Sequence, residues 1–280
     1  MGTMSSPDLT ERARQAVTPE LAQAFARDGA VCVRGLLNAE EVALLREGID
    51  ANIAAPSPRA KVASRPDDPG FFIEDFCCWQ ENGAYRRVIF DSPLAAAAGL
   101  LMASRQVRLY HDHMLTKEPG TRQRTPWHQD QPYWAVEGWQ VCSIWLPFDP
   151  VPESTCVEYV AGSHRWNRRF NPQHFSDGSP YSGTDLPPLP DIESERTRYD
   201  IRRFALDPGD CLVFQALIVH GAPGNRHSGR RRALATRWTG DDATFVRREG
   251  EVAIPTSDPG LAHGAAMDCD LFPRIWERGT

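Results

Sequence analysis

No stretch of this sequence is apolar for long enough to cross a bilayer. The longest candidate, Leu94–Ala103, falls well short of the roughly 18 residues a spanning helix needs, so no membrane partner is expected. Positive charge is not in surplus either: Lys and Arg total 31 against 37 Asp and Glu, a net charge of −6. A nucleic-acid binder normally carries a basic excess, so a small molecule is the expected partner. Cysteine occurs seven times, but the count is odd, no CxxC occurs, and Cys77 and Cys78 are adjacent. That disorder argues against a secreted disulfide scaffold. Residues 1–17 carry charges where a signal peptide needs an apolar core, and they read as a flexible arm. Reduced thiols and a cytoplasmic location are therefore expected. Met1–Ser6 fits a short acylation pattern, but nothing polybasic follows and the match is set aside. No internal repeat is present. What remains is the composition of an ordinary globular chain, 41% hydrophobic and 24% charged over 280 residues, with ample material for a core.

From residue 18 to 280 the pattern suggests one domain. Thr18-Pro19-Glu20 opens a helix with Thr as N-cap and Pro at the first position. Asp28-Gly29 closes it ahead of a short strand over Ala30–Arg34. Asn38 with Glu41 makes a capping box for a helix to about Ala54, and Ser92-Pro93 caps another running to about Ser104. Short β-rich segments then follow at Val107–Lys117, Val141–Phe148, Val157–Ala161, Tyr199–Leu206, Cys211–His220 and Ala233–Thr239, divided by turns such as Asp207-Pro208-Gly209-Asp210. Helices first and strands after predict a mainly β, α+β chain built on a sandwich or barrel. Two insertions interrupt it: 56–70, a polar, proline-punctuated loop long enough to act as a lid, and 171–195.

The segment richest in chemistry is Trp127-His128-Gln129-Asp130. On an extended chain His128 and Asp130 share a face, and an imidazole beside a carboxylate offers two neighbouring ligands to a first-row metal. Leu217-Ile218-Val219-His220 supplies a distant third. His-x-Asp with a remote His is the facial triad that leaves three iron positions open for a bidentate cosubstrate and oxygen. Alone, HxD is a weak signal, since such a turn can equally cap backbone. Arg230-Arg231-Arg232 strengthens it, because a 2-oxoacid chelating iron leaves its far carboxylate in need of a guanidinium.

Together these motifs give a resemblance. From about Phe25 to Phe272 the chain resembles the phytanoyl-CoA dioxygenase family of iron(II)/2-oxoglutarate oxygenases. The ordered matches are Asp28-Gly29-Ala30-Val31-Cys32-Val33, Lys117-Glu118-Pro119-Gly120, Trp127-His128-Gln129-Asp130, Ala161-Gly162-Ser163-His164-Arg165, Pro208-Gly209-Asp210, His220-Gly221 and Arg231. The resemblance implies a double-stranded β-helix (a jelly-roll, cupin-like barrel) with N-terminal helices packed outside. It implies Fe(II), 2-oxoglutarate and O₂ as cofactor and cosubstrates, with His128, Asp130 and His220 as iron ligands. Arg231 matches the 2-oxoglutarate arginine, Trp145 a residue lining the cosubstrate pocket, and His113 a cosubstrate-contacting position. On a strand, Arg230 and Arg232 would then share the opposite face. Two departures are visible: Ala222 stands where relatives often have Ser, and an upstream Lys of relatives has no counterpart near Asp75–Trp79. Relatives that halogenate replace the carboxylate with a small residue, so Asp130 implies hydroxylation, desaturation or ring chemistry with release of succinate and CO₂.

Other groups have plainer readings. His111-Asp112-His113 puts two histidines on one face, as a cupin-type metal protein could, but with no carboxylate-and-cation set beside them. His164 reads as a loop organiser, His174, His227 and His263 as solvated, and Tyr133, Trp134 and Trp139 as pocket wall or core. The rival from another class is a non-redox jelly-roll metal-binding protein or isomerase.

Overall fold

The computed structural model describes residues 6–279. Its helices are α1 (Ser6–Ala16), α2 (Pro19–Asp28), α3 (Ala39–Ala54), α4 (Gly83–Asp91) and α5 (Leu94–Met102). The strands begin with β1 (Ala30–Val33), β2 (Lys61–Val62), β3 (Phe72–Phe76), β4 (Gln106–Lys117) and β5 (Thr125–His128). They continue with β6 (Val136–Glu137), β7 (Val141–Pro147), β8 (Glu158–Val160), β9 (Ile201–Arg202) and β10 (Cys211–Gln215). The last are β11 (His220–Ala222), β12 (Arg231–Thr239), β13 (Thr244–Phe245) and β14 (Arg274–Glu277).

Two antiparallel sheets carry the fold. The larger runs β1-β10-β7-β12-β4-β3-β2 with β14 beside β4, and the smaller runs β5-β11-β8-β9. Strand alternation gives the large sheet two different faces. Val31, Ile144, Leu146, Val213, Leu234 and Trp238 pack with the helices. Trp145, Leu212, Phe214, Ala233 and Ala235 face the other way and meet Val157, Tyr159 and Ala222 of or beside the small sheet. Two sheets facing each other across a core is the double-stranded β-helix expected from sequence, with the helices outside.

Local chemistry explains the helices. Thr18 accepts from the Leu21 amide and Gly29 closes α2 at φ 82°; a Cβ there would also strike the His164 ring at 2.4 Å. Asn38 and Glu41 form the reciprocal capping box of α3. In α5, Ala95–Ala98 are all buried, and Gly99 lets the Trp276 ring approach to where a Cβ would stand.

Several expectations are corrected. The loose arm over 1–17 is a helix from Ser6 to Ala16, with Leu9, Ala13 and Val17 buried and Arg12 paired with Glu41 at 2.7 Å. Residues 1–5, and with them most of the acylation-like pattern, lie outside the described residues. The strand expected over Cys211–His220 is broken after Gln215, and the chain steps from the large sheet to the small one before His220. The 56–70 loop contains β2, paired with β3. Its end is tied down by Asp68, which accepts from the Gly70, Arg122 and Gln123 amides. All seven cysteines are free, and no helix among the described residues is long and apolar enough to cross a membrane.

Candidate functional site

Strands β5 and β11 are neighbours, and their register sets His128 directly opposite His220. The ring centroids are 4.1 Å apart. Each imidazole is oriented by its own backbone two residues earlier: His128 Nδ1 bonds the Pro126 carbonyl at 2.8 Å and His220 Nδ1 bonds that of Ile218 at 3.1 Å. With Nδ1–H donating, each Nε2 keeps a lone pair for a metal. Asp130 Oδ1 lies 3.4 Å from His128 Nε2 and 3.7 Å from His220 Nε2. The alternation argument brought His128 and Asp130 together for an incomplete reason. β5 ends at His128, and Asp130 has helical angles (φ −71°, ψ −46°) at the start of a short 3₁₀ turn. That turn swings the carboxylate round, and it is pinned by Gln129, whose side chain donates to the Leu217 carbonyl at 2.8 Å. The Gln131 amide, bonded to Ala216 O at 2.9 Å, pins its other side.

The second Asp130 oxygen is held from behind. Ser143 Oγ donates to Oδ2 at 2.7 Å, and Arg237 Nη1 lies 3.2 Å from the same atom. Ser143 and Arg237 are cross-strand partners on β7 and β12. Burial alone would push the Asp130 carboxyl up; Arg237 and the two imidazoles outweigh it and hold the group well below its ordinary range. Burial, reinforced by His128, lowers His220 to about 3. Among the described residues His128, Asp130 and His220 form the one cluster of three metal-capable side chains, with ligand atoms within 4.8 Å of one another. Two imidazole nitrogens and an ionised carboxylate on one side of an open space suit a divalent iron.

These groups stand at one side of a cavity of about 430 Å³. Arg231 and Trp145 line it, as do His113 and His111. The three arginines separate as strand alternation requires. Arg230 pairs with Glu118 at 2.6 Å and Arg232 with Asp149 at 2.7 Å and Asp50 at 2.5 Å. Arg231 is buried, donates to the Thr155 carbonyl and, at 3.5 Å, to that of Pro223, and has no carboxylate partner among the described residues. Burial lowers it to about 10.

Sequence reasoning missed Lys117, Ser143, Arg237 and Glu74. Lys117 sits opposite Arg231 on β4 and is 1% exposed; its Nζ donates to Thr125 Oγ1 at 3.1 Å and Pro223 O at 3.2 Å. Burial, with Arg231 adding, drives the ammonium well below its usual range. A lysine therefore does enter the pocket, from β4 instead of the region searched near Asp75–Trp79. Odd-numbered residues from His111 to Lys117 share one face, and that alternation was the available signal. His111 and His113 gain no third ligand. His113 instead bonds Glu74 Oε2 at 3.2 Å and stacks on Phe76 at 4.1 Å.

Comparison with known proteins agrees with this geometry. A family profile described as phytanoyl-CoA dioxygenase matches residues 25–233. The chain is 26% identical to an ectoine dioxygenase of Stutzerimonas stutzeri over 223 residues, covering 75% of this chain and 72% of that one. It is 26% identical over 265 residues to a multifunctional dioxygenase of Penicillium brasilianum, 89% of this chain and 79% of the other. Among solved structures, the non-heme alpha ketoglutarate dependent carbocyclase SnoK from nogalamycin biosynthesis superposes with a TM-score of 0.72 at 18% identity, covering 99% and 100% of the two chains. EctD from S. alaskensis with 2-oxoglutarate and 5-hydroxyectoine gives 0.68 at 19%, covering 94% and 88%.

Proposed function

We propose that this chain, which belongs to the phytanoyl-CoA dioxygenase family, is an iron(II)/2-oxoglutarate-dependent dioxygenase that hydroxylates a small-molecule metabolite. One observation carries the reading. Two imidazole Nε2 atoms and a carboxylate converge on one point of a cavity that also buries a guanidinium without a counter-ion. Iron bound there with 2-oxoglutarate and O₂ supplies the oxidising power, with succinate and CO₂ released as a substrate C–H bond is attacked.

The protein's own part is binding, orientation and exclusion of water. His128, Asp130 and His220 would hold the iron. Ser143 and Arg237 keep one Asp130 oxygen occupied so that Oδ1 faces the metal. Arg231 takes the far carboxylate of 2-oxoglutarate with two parallel hydrogen bonds, and Lys117 beside it donates through Nζ. Trp145 walls that end. Phe175, 4.9 Å from the His128 ring, and Tyr133, 5.6 Å from it, keep water from the reacting face and press the substrate towards it. Seven free cysteines fit a cytoplasmic location.

The test is anaerobic addition of Fe(II) and 2-oxoglutarate, followed by the visible metal-to-ligand charge-transfer band. Succinate release over a metabolite panel then reports turnover. Absence of the band sinks the dioxygenase reading in favour of a non-redox jelly-roll protein. Neighbours titled carbocyclase and epimerase show what else this fold hosts, so product mass decides the outcome. Hydroxylation adds one oxygen, ring closure or desaturation removes two hydrogens, and epimerisation leaves the mass unchanged.

A further inference from the structure

We propose that Glu74, oriented by His113, is the substrate-recognition group of this cavity and that it selects a small molecule bearing an organic cation, such as a protonated amine. The inference rests on the dioxygenase reading for what happens next, but its own evidence is separate. Of the cavity's lining residues only Asp130 and Glu74 carry carboxylates, and Asp130 is committed to the metal-binding cluster. Glu74 lies mid-strand on β3, 6% exposed, paired in register with Leu115 of β4. Burying a carboxylate is costly unless it is fully bonded. Here Oε2 takes His113 Nε2 at 3.2 Å, while Oε1 has no hydrogen-bond partner among the described residues.

Burial holds His113 below its ordinary value, against the pull of Glu74, which favours the imidazole as a neutral hydrogen-bond donor to the carboxylate; no Lys or Arg forms an ion pair with Glu74 among the described residues. The surroundings suit a cation. Phe76 lies two residues along the same face, stacked on His113 with ring planes 22° apart. Tyr133 and Tyr181, 5.2 Å apart and edge to face, both lie within electrostatic reach of Glu74. Aromatic faces beside a carboxylate attract ammonium groups. The chain shows this with its own side chain: exposed Lys61, opposite Glu74 in the β2–β3 register, holds its Nζ 5.7 Å from the Phe76 centroid. It forms no ion pair with Glu74 among the described residues, so a substrate ammonium would take the unfilled Oε1. Lys117 also lies within electrostatic reach of Glu74 but makes no ion pair with it, its Nζ being held by Thr125 Oγ1 and the Pro223 carbonyl.

The experiment uses benzylamine, an ammonium at neutral pH, and its neutral analogue benzyl alcohol, titrated calorimetrically into the metal-free protein. The wild type should bind benzylamine at least about tenfold more tightly, the scale of one charge-assisted hydrogen bond. In Glu74→Gln that preference should shrink to within about threefold, while Glu74→Asp keeps part of it. Equal affinities in the wild type, no measurable binding of either compound, or a preference that survives in Glu74→Gln would each overturn the proposal. The wild-type comparison stands even if a variant does not fold. The charge-transfer band with Fe(II) and 2-oxoglutarate, measured on the wild type alone, reports separately on the dioxygenase reading, because it does not depend on the amine preference at Glu74.

Discussion

The cavity's two ends are built from different material. At the proposed metal and cosubstrate end the side chains stand on or next to strands, and ladder register sets all of them except Asp130, which a 3₁₀ turn places. His128 faces His220, Ser143 faces Arg237, and Lys117 faces Arg231. At the mouth, Lys61 and Val62 come from a two-residue strand, Gln173–Ser176 and Tyr181 from a long insertion, and Ala253 and Ile254 from a loop after β13. A strand ladder resists displacement because each shift breaks several hydrogen bonds at once, whereas a loop can change sequence and shape cheaply. The chemistry is therefore fixed where the sheets are, and selectivity is adjustable where they are not. Glu74 is the exception, a group proposed for substrate recognition that stands on a strand of the large sheet.

The sharpest way to break this contrast is at the proposed metal ligands. His128→Ala, Asp130→Ala and His220→Ala should each abolish 2-oxoglutarate-dependent succinate release and iron retention. The histidine variants should keep near-native circular dichroism. Asp130→Ala should in addition lose about 3–5 kcal/mol of stability by denaturant titration, because it leaves Arg237 as a buried unpaired charge. An active, iron-loaded variant removes that residue from the site. Next in size is Arg231→Ala, which should raise the apparent 2-oxoglutarate constant by about thirtyfold to a few thousandfold, equivalent to about 2–5 kcal/mol. Arg230→Ala should change it by under about 1 kcal/mol. Arg232→Ala should leave it unmoved yet lower stability, since Asp149 loses its partner. A large cosubstrate effect at 230 or 232 would put the strand one residue out of register.

Ser143→Ala frees one bond to Asp130 and should weaken Fe(II) binding about 10- to 100-fold, the usual scale for a group that orients a ligand. Equilibrium dialysis would measure it, and unchanged affinity would reduce Ser143 to packing. A fourth check is acid stability of the metal-free protein. His220 stays neutral in the fold down to about 3, whereas the unfolded chain takes up that proton near 6.5. The unfolded state thus binds more protons in that window, and stability falls as pH drops through it. His220→Asn should flatten the slope by up to about 1.4 kcal/mol per pH unit. An unaltered slope would mean that another group carries the titration. The smallest effect concerns mobility. Fe(II) with 2-oxoglutarate should slow amide exchange at 125–131 and 220–222 while changing 57–67 and 171–181 little. Equal protection of both regions would erase the distinction between the ends.

The sequence was most legible where one residue type has few physical alternatives. A His-x-Asp with a remote His and an arginine eleven positions on has little structural excuse, so His128, Asp130, His220 and Arg231 could be picked out. Elements whose signal depends on partners were not legible. Phe72-Ile73-Glu74-Asp75-Phe76 is a poor strand by composition, with two acids in five residues; its edges are paired by β2 and β4, and Glu74 was overlooked with it. Cys211–Val219 is continuously apolar except at Gln215, so no local cue marks the step between sheets. α4 was missed because its cap, Asn82, follows a segment with no clear pattern. Arg237 sat in a strand correctly anticipated, but its counter-charge comes from a turn more than a hundred positions earlier.

The register of β4 shows how much depends on one residue. Between Arg237↔His111 and Trp238↔Leu109 the pairing skips Tyr110, whose hydroxyl donates to Ile254 O at 2.8 Å and accepts from the Ala135 amide at 3.0 Å. That bulge works as a phase shifter. Before it, odd positions such as Val107 and Leu109 turn towards the helices; after it, odd positions 111 to 117 turn towards the cavity. Because side chains alternate strictly along a strand, deleting Tyr110 would only remove the bulge, whereas one uncompensated insertion in the paired ladder beside it would put the strand's two halves out of step. Either the β14-paired half or the cavity half would have to turn over. In the second case two imidazoles and an ammonium would press into an aliphatic layer, and Met114 and Thr116 would replace them at the cavity. Insertions in the mouth loops face no such frame, so variation can collect there while β4 keeps its length.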